Sequence, residues 1–323
     1  MTFTSLPRPR ASAPMGRLRA LWQHGDGPFR IILIGASLLV LLLVLGIGAA
    51  LWLNSDLSRQ AFGFTFLWNT TWDPVKGIFG AFPFLYGTLV TSFLALLFAV
   101  PLGLGAAIFL AELAPAWIRV PVGLLVELLA AVPSVVFGLW GLFVFVPVIV
   151  KPLGIALNTS LGFLPLFAGP VYGPSRLAAG LLLAIMVLPT ITAISRDVFR
   201  AIPAAQREGS LALGATRWET VRRVLIPYGR SGIFGAIILG LSRALGETIA
   251  VTMVIGNNLD LTPSLLHPGY TMASVIANEF TEATTPLYVS ALIEIGLVLF
   301  VMTLIVNAIA QLLIHRVGAT VHA

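Results

Sequence analysis

Six long apolar stretches constrain this chain more than any other feature. An α-helix needs about 20 consecutive apolar residues to cross the hydrocarbon core of a bilayer. Stretches of that length lie at roughly 31–53, 84–111, 121–150, 177–199, 231–255 and 287–314. Of the 323 residues, 58% are hydrophobic and 10% are charged, whereas soluble domains average about 45–50% and about 25%. The sequence therefore predicts an all-α membrane protein with six transmembrane helices.

The distribution of arginine indicates how these helices are oriented. Arginines are concentrated in the N-terminal residues 1–30 and in the connection 200–230, and cytoplasmic loops of membrane proteins carry an excess of basic residues. The net charge of +6 follows from this clustering, and it gives no reason to expect nucleic-acid binding. We expect both termini and the connections 112–120 and 200–230 to be cytoplasmic, and the connections 54–83, 151–176 and 256–286 to lie outside.

Residues of the usual catalytic and metal sites are absent or scattered. The chain has no cysteine, which excludes disulfides, thiolate metal sites and cysteine nucleophiles. Its four histidines show no metal-ligand spacing, and it has neither a GxxxxGK[ST] phosphate-binding loop nor an HExxH motif. The sequence therefore predicts no catalytic residues, no metal and no cofactor, and it favours a transport subunit over an enzyme.

A basic segment, EGSLALGATRWETVRRVLIP at 208–227, lies between the fourth and fifth apolar stretches. The surrounding sequence predicts a helix, a turn at Gly214 and a second helix, whose start Thr216 and Glu219 would stabilise as a capping box. One interpretation is an amphipathic helix that docks in a groove of a soluble partner. The other is a helix that lies on the membrane surface, held by contacts between arginine and lipid phosphate.

The fifth apolar stretch contains two charged residues, Arg243 and Glu247. In a continuous helix residues four apart share one face, and Arg243 would lie about 18 Å from Ser231, near the middle of the bilayer. Inserting a lone charge there costs at least about 2.5–3.5 kcal/mol of free energy, so we expect this residue to have an ionic partner or a functional role. A guanidinium matches the geometry of phosphate, which favours an anion pathway. The alternative is a structural ion pair that holds helices together.

Two further acids lie inside apolar stretches. Glu127 and Glu294 each lie about two turns into the third and sixth stretches. Either one could pair with an arginine of another subunit or carry a proton. Asp197 lies beside Arg196 and Arg200, and we expect it to form a local salt bridge.

Four blocks of this sequence together carry a family resemblance. They are VELLAAVPSVVFGLWGLFV (126–144), VLPTITAISRDVFRAIP (187–203), the basic segment at 208–227 and LGLSRALGETIAVTMVIGN (239–257). They resemble the PstC-type permease subunits of bacterial phosphate ABC importers, which belong to the MetI-like type I importer permeases. The resemblance runs from about Phe82 to Arg316. Gly209 and Ser210 depart from the two alanines that are usual in the family's EAA loop, although both residues are small.

This resemblance implies a domain organisation and a function. The expected parts are a cytoplasmic tail (1–30), a first transmembrane helix with a periplasmic segment (31–83), and a five-helix permease domain (84–316) with a coupling loop at about 200–230. The implied function is import of inorganic phosphate across the bacterial inner membrane, driven by ATP hydrolysis on partner subunits. The implied partners are a PstA-like second permease, two PstB-like ATPases, a PstS-like periplasmic binding protein, phosphate and membrane lipid.

The resemblance also assigns roles to individual residues. Arg243 and Glu247 match residues that are important for phosphate passage. The connections 54–83 and 256–286 are expected to meet the binding protein, with Trp68 and Trp72 as aromatic anchors or as residues of the membrane–water belt. The residues expected to contact the ATPase are Glu208, Gly209, Ser210, Leu211, Gly214 and Arg217.

Other functions fit parts of the same pattern. A PstA-type sister permease, or a permease for another oxyanion such as molybdate or sulfate, would also present the basic segment at 208–227. A proton-coupled secondary carrier is expected to have inverted halves and no such segment. No repeat relates the two halves of this sequence, which favours the ABC importer.

Overall fold

The computed structural model describes residues 26–319, so most of the expected tail 1–30 lies outside the described residues. Within that range the chain is helical, and its only β pairing consists of isolated bridges at Asp73–Ile78 and Gly256–Gly269. In chain order the helices are α1 (Asp26–Asn54), α2 (Asp56–Phe62), α3 (Phe82–Ile108), α4 (Ala116–Ala131), α5 (Ser134–Trp140), α6 (Lys151–Leu161), α7 (Arg176–Ala201), α8 (Ala204–Ala212), α9 (Arg217–Thr220), α10 (Ile226–Gly246), α11 (Ile249–Ile255), α12 (Met272–Glu279) and α13 (Pro286–Ala319).

Six helical segments are long and apolar enough to cross a membrane, which confirms the predicted number. They are Phe29–Asn54, Phe82–Leu113, Ser134–Leu161, Arg176–Ala201, Arg217–Gly246 and Pro286–Leu312. Three of them contain a π-helical stretch, at Phe109–Leu113 after α3, at Gly141–Val150 between α5 and α6, and at Val221–Leu225 between α9 and α10. The described residues form two compact units, one with most of α1 up to residue 53 and the other from residue 54 with the other helices.

The third span differs from the prediction of one helix over 121–150. Helix α4 ends at Ala131, Val132 and Pro133 have extended backbone, and α5 begins at Ser134. Pro133 explains the interruption, because a proline disfavours helical conformation in the preceding residue and offers no N–H to the helix. The membrane-spanning helix instead runs through Lys151 to Leu161, into the segment that was expected to form an outer connection.

The fifth span is also interrupted, so the expectation that Arg243 and Glu247 share one helix face is wrong. Helix α10 ends at Gly246, Glu247 has extended backbone (φ −69°, ψ 125°), and α11 begins at Ile249. Glycine is a weak helix former and β-branched residues lose side-chain freedom in a helix, and both kinds meet at this point. The hydroxyl of Thr248 donates a hydrogen bond of 3.2 Å to the carbonyl of Gly246, which satisfies one of the acceptors released by the interruption.

Helix α7 is the most buried span of the second unit. In its most apolar window 67% of the residues are buried, compared with 28% to 33% in the other spans of this unit. Small residues permit this position. Gly180 lies against Leu94 of α3, and Gly240 of α10 lies against Ile191 of α7. The core of the unit is therefore built around α7, with α3 and α10 packed closely against it.

At one end of the unit, aromatic side chains pack around Trp72. Its ring lies 4.8 Å and 4.9 Å from the rings of Phe79 and Phe84, and its indole N–H donates a 2.7 Å hydrogen bond to Glu279. Because Trp72 is only 6% exposed, it is a core residue, and neither of its expected roles, an interface anchor or a membrane-belt residue, is right. Burial also raises the pKa of the nearby Tyr270 phenol, because it disfavours the ionised form.

Arg176, the first residue of α7, holds the loop 258–269 over this end of the unit. Its guanidinium is buried and donates hydrogen bonds to the carbonyls of Asp260 (2.5 Å), Thr262 (3.2 Å) and Ser264 (3.2 Å). It also lies 5.4 Å from the centre of the Tyr86 ring. Backbone carbonyls thus accept hydrogen bonds from both Nη atoms of this buried cation, and the loop is fixed to the start of the central helix.

Helix α3 contacts the backbone of Tyr270, the residue after this loop, and the contact predicts that position 87 does not tolerate a side chain. A Cβ atom at Gly87 would overlap the carbonyl oxygen of Tyr270, whereas a Cβ at Gly105 in the same helix would meet nothing within 4 Å. We expect Gly87→Ala to lower stability by about 1–3 kcal/mol, the usual cost of overpacking, and Gly105→Ala to be neutral or stabilising. Thermal unfolding of the two variants in detergent measures this difference, and equal midpoints would contradict it.

Candidate functional site

The basic connection forms a short exposed helix followed by a tight turn. Helix α8 runs from Ala204 to Ala212, and none of its residues is buried. Gly214 has a φ of +85°, a left-handed conformation that glycine adopts without steric cost. The prediction of a helix, a turn at Gly214 and a second helix is therefore confirmed.

A capping box restarts the helix after the turn, as the sequence predicts. Thr216 is the N-cap residue, and its hydroxyl accepts a 3.3 Å hydrogen bond from the N–H of Glu219. The carboxylate of Glu219 accepts a 2.9 Å hydrogen bond from the N–H of Thr216. A 3.0 Å hydrogen bond between the hydroxyls of Ser210 and Thr220 joins α8 to α9. The turn is thus fixed by local bonds on both sides.

Three of the six expected ATPase-contact residues, Gly209, Ser210 and Gly214, line one surface depression of about 620 Å³. Glu208, Leu211 and Arg217 are exposed beside it. The two most exposed apolar side chains here, Leu213 (91% exposed) and Trp218 (60% exposed), are not among the six expected contact residues. Large apolar residues in a short polar segment are the signal that could have identified them. Exposed apolar side chains around a depression favour docking of a protein partner.

Arg243 lies in the last turn of α10, beside the interruption of the fifth span. It is half-buried, and its guanidinium donates a 3.4 Å hydrogen bond to the hydroxyl of Thr190 on α7. Thr190 was not expected to contribute to the site, because its contact with Arg243 depends on how two spans pack. Among residues 26–319, no carboxylate lies within 4.0 Å of Arg243. The structure therefore does not contain the structural ion pair with Glu247 that the sequence left open.

The interruption gives this region polar groups that a continuous helix would lack. Glu247 and Thr248 lie outside any helix, and the Thr252 hydroxyl donates a 2.8 Å hydrogen bond to the carbonyl of Thr248. Non-helical backbone at membrane depth is tolerated where it is covered by protein or lines a water-filled cavity. A half-buried guanidinium beside such an interruption can donate hydrogen bonds to an anion.

The two other acids within apolar stretches have different surroundings: the Glu127 side chain is 56% exposed, whereas Glu294 is buried. Glu127 accepts a 3.1 Å hydrogen bond from Arg196, which also donates a 3.1 Å bond to Asp197. Glu127 thus pairs with an arginine of its own chain, and the predicted salt bridge of Asp197 is confirmed. Glu294 is 6% exposed, and its Oε2 atom has no hydrogen-bond partner among the described residues.

Comparison with known proteins relates most of the chain to one family. The family described as binding-protein-dependent transport system inner membrane component matches residues 99–319. The phosphate transport system permease protein PstC of Mesorhizobium japonicum is 47% identical over 298 residues, which cover 91% of this chain and 91% of that protein. The protein of the same name from Xylella fastidiosa strain 9a5c is 45% identical over 323 residues, which cover 98% of each chain.

A solved structure has the same architecture. One chain of a bacterial alginate ABC transporter, crystallised in complex with an alginate pentasaccharide-bound periplasmic protein, aligns with a TM-score of 0.62. The alignment covers 92% of this chain and 98% of that one at 18% identity. At this identity the likeness concerns the fold alone, and it confirms the predicted permease bundle of an ABC importer.

The capping box predicts a specific effect of losing the Thr216 hydroxyl. Replacing an N-cap threonine by alanine costs about 0.5–2 kcal/mol, so we expect Thr216→Ala to loosen the first turn of α9. Thr216→Ser keeps the hydroxyl and is the matched control. Hydrogen–deuterium exchange of the backbone amides of 217–220 should be faster in the alanine variant only. Equal exchange in both variants would show that the capping box does not hold this turn.

Proposed function

We propose a function from one premise: the chain belongs to the family of inner membrane components of binding-protein-dependent transport systems. On this proposal the chain is the permease subunit that carries inorganic phosphate through the cytoplasmic membrane, while partner subunits hydrolyse ATP. The names of the two relatives support phosphate as the substrate. The structural observation that carries the proposal is Arg243, a half-buried cation beside a helix interruption with no carboxylate within 4.0 Å among the described residues.

Arg243 is proposed to lower the cost of phosphate near the middle of the membrane. An isolated anion in an apolar medium is strongly disfavoured, and a guanidinium offsets part of this cost with its charge and its planar set of donors. The hydroxyl of Thr190 already accepts one bond from Arg243, and phosphate would compete for the same donors. Phosphate must also leave again. Glu247, four positions along the chain, is proposed to compete for the guanidinium and so assist release.

Helix α8 and the turn at Gly214 are proposed to dock on an ATPase subunit. Their exposed apolar side chains and the depression beside them give a protein partner a surface to bury. On this proposal the contact residues are Glu208, Gly209, Ser210, Leu211, Gly214 and Arg217, now joined by Leu213 and Trp218. The arginine-rich connection then lies in the cytoplasm together with both termini, in agreement with the positive-inside rule.

The complete transporter is proposed to contain a PstA-like second permease, two PstB-like ATPases and a PstS-like binding protein. The connections 54–83 and 256–286 are the proposed contact surface for the binding protein. Trp68 is 70% exposed and remains a candidate aromatic anchor in this surface, whereas the buried Trp72 supports the connection from within.

The left-handed turn predicts how Gly214 responds to substitution. A β-branched residue is strained at a φ of +85°, whereas asparagine visits this conformation at much lower cost. We expect Gly214→Val to keep the spans inserted but to uncouple phosphate uptake from ATP hydrolysis, and Gly214→Asn to retain coupling. Uptake and ATPase activity of the reconstituted complex measure both effects. Full coupling in Gly214→Val would exclude this turn from the ATPase contact.

The proposed role of Arg243 predicts a loss of uptake that lysine does not repair. In vesicles containing the complete transporter, uptake driven by internal ATP should accept phosphate but not sulfate or molybdate. Arg243→Ala should assemble without transporting, and Arg243→Lys should be about 10- to 100-fold slower, because a hydrogen bond to a charged group contributes about 1.5–3 kcal/mol. Arg222→Lys, at an exposed arginine, is the matched control.

A double variant separates a role in transport from a role in packing. Arg243→Met with Glu247→Leu replaces both charges by apolar side chains of similar size, and buried charges that serve only structure often tolerate this change. We expect the double variant to remain inactive. Phosphate uptake at the wild-type rate would overturn the pathway role of Arg243.

ATP depletion of the wild-type vesicles tests the energy source. Uptake that survives ATP depletion while a proton gradient remains would indicate a secondary carrier.

A further inference from the structure

One guanidinium joins three elements where the basic connection meets the spans. Arg207 projects from α8 to Glu112, in the π-helical stretch that ends the second span. Its Nε atom lies 3.1 Å from both carboxylate oxygens, and its Nη2 atom lies 2.8 Å from Oε1. The side chains of Arg207 and Glu112 are 23% and 14% exposed. The pair is therefore largely shielded from water, which distinguishes it from a surface ion pair.

The remaining donors of Arg207 reach the end of α7. Its Nη1 atom donates a 2.6 Å hydrogen bond to the carbonyl of Ile202, and its Nη2 atom donates to the carbonyl of Phe199. These carbonyls belong to the last turn of α7 and the residue after it, where helix carbonyls lack partners within their own helix. Arg207 thus caps the central span while it holds the second span through Glu112.

The other described side-chain bond of α8 attaches it to the start of the fifth span, and not to the second or fourth span. None of its residues is buried, so hydrophobic packing contributes little to its position. The hydrogen bond between Ser210 and Thr220 joins α8 to α9, not to α3 or α7. Within the described residues, Arg207 is therefore the side chain through which α8 is bonded to both of these spans.

We propose that Arg207 and Glu112 are positioning residues that transmit movement of the ATPase-docking segment to the second and fourth spans. The proposal rests on the function proposed above, in which α8 and its turn dock on an ATPase. Arg207 makes α8 move together with the end of α7. Thr190, the partner of Arg243, lies on the same helix, about 18 Å from Ile202 at 1.5 Å per residue. A displacement of α8 therefore reaches the proposed phosphate contact through one helix.

The geometry requires arginine in particular. Arg207 contacts two carboxylate oxygens and two carbonyls in different directions, which needs the rigid planar set of donors of a guanidinium. A lysine could keep the ion pair with Glu112 but could not cap both carbonyls at once. Exchanging the two residues would also fail. A carboxylate at position 207 has no proton to donate to the carbonyls of Phe199 and Ile202.

The test measures coupling rather than activity alone. The variants are Glu112→Ala and Arg207→Lys in the complete reconstituted transporter, with Arg222→Lys as the matched control on the same connection. We expect the two linkage variants to assemble and to hydrolyse ATP. Phosphate transported per ATP should fall about tenfold, which lies within the range typical of coupling between two sites. The control should keep the wild-type ratio. A wild-type ratio in either linkage variant would overturn the proposal.

A covalent replacement keeps the proposal testable if the charged variants fail to assemble. The chain contains no cysteine, so Glu112→Cys with Arg207→Cys introduces one defined pair, combined with cysteine-free partner subunits. A short bismaleimide across the pair should restore the transport ratio that the unlinked double variant lacks. An assembled, cross-linked complex that remains uncoupled would overturn the proposal, because a mechanical link would then be present without effect.

The same assay distinguishes this proposal from the function on which it rests. If the wild-type and Arg222→Lys complexes take up no phosphate, the proposed substrate is wrong. If they take up another oxyanion, the ratio is measured with that ion and the linkage is tested unchanged.

Discussion

Every backbone N–H and C=O group in the hydrocarbon core of a membrane needs a hydrogen-bond partner, and the rest of this structure depends on that requirement. Lipid offers no partners for N–H and C=O groups, so each span must be helical unless protein or water covers the exposed groups. Two interruptions, at Val132–Pro133 and at Glu247–Thr248, depart from this requirement. The helices that follow them, α5 and α11, pack closely together, with Gly138 lying against Ala250 and Met253. Each of these two helices therefore covers one face of the other beside its interruption.

The arginines within and at the ends of the spans differ in their hydrogen-bond partners. Arg176 donates hydrogen bonds to the carbonyls of the loop 258–269, Arg196 to Glu127 and Asp197, and Arg207 to Glu112 and the end of α7. A charge that is removed from water is costly unless it is paired and hydrogen-bonded. Arg243 differs from these three, because its described contact is a single threonine hydroxyl. This contrast supports a function for Arg243 and a structural or mechanical role for the others.

Helix α7 connects the regions that the proposed mechanism needs. Its first residue holds the loop 258–269, its middle contacts Arg243 and its end is capped by Arg207. Because α7 is one helix from Arg176 to Ala201, a displacement at its end also moves the turn that contains Thr190. A single helix at the centre of the bundle is a simple physical means of relating an event at the basic connection to the proposed phosphate contact.

The sequence by itself determined the features that depend on local chemistry. Apolar length predicted six spans, and the residues around Gly214 and Thr216 predicted the turn and the capping box, because these structures form from neighbours along the chain. Short-range reasoning also placed Asp197 in its salt bridge with Arg196. The family resemblance, carried by short blocks of sequence, led to the correct permease fold.

Only the tertiary structure decided which distant residues meet. It paired Glu127 with Arg196, placed Thr190 beside Arg243, buried Trp72 in an aromatic core and joined Arg207 to Glu112. It also separated Arg243 from Glu247 by ending α10 at Gly246. Residue spacing predicts neighbours only while the helix continues. The packing of spans that are far apart in sequence decides which partner a charge contacts.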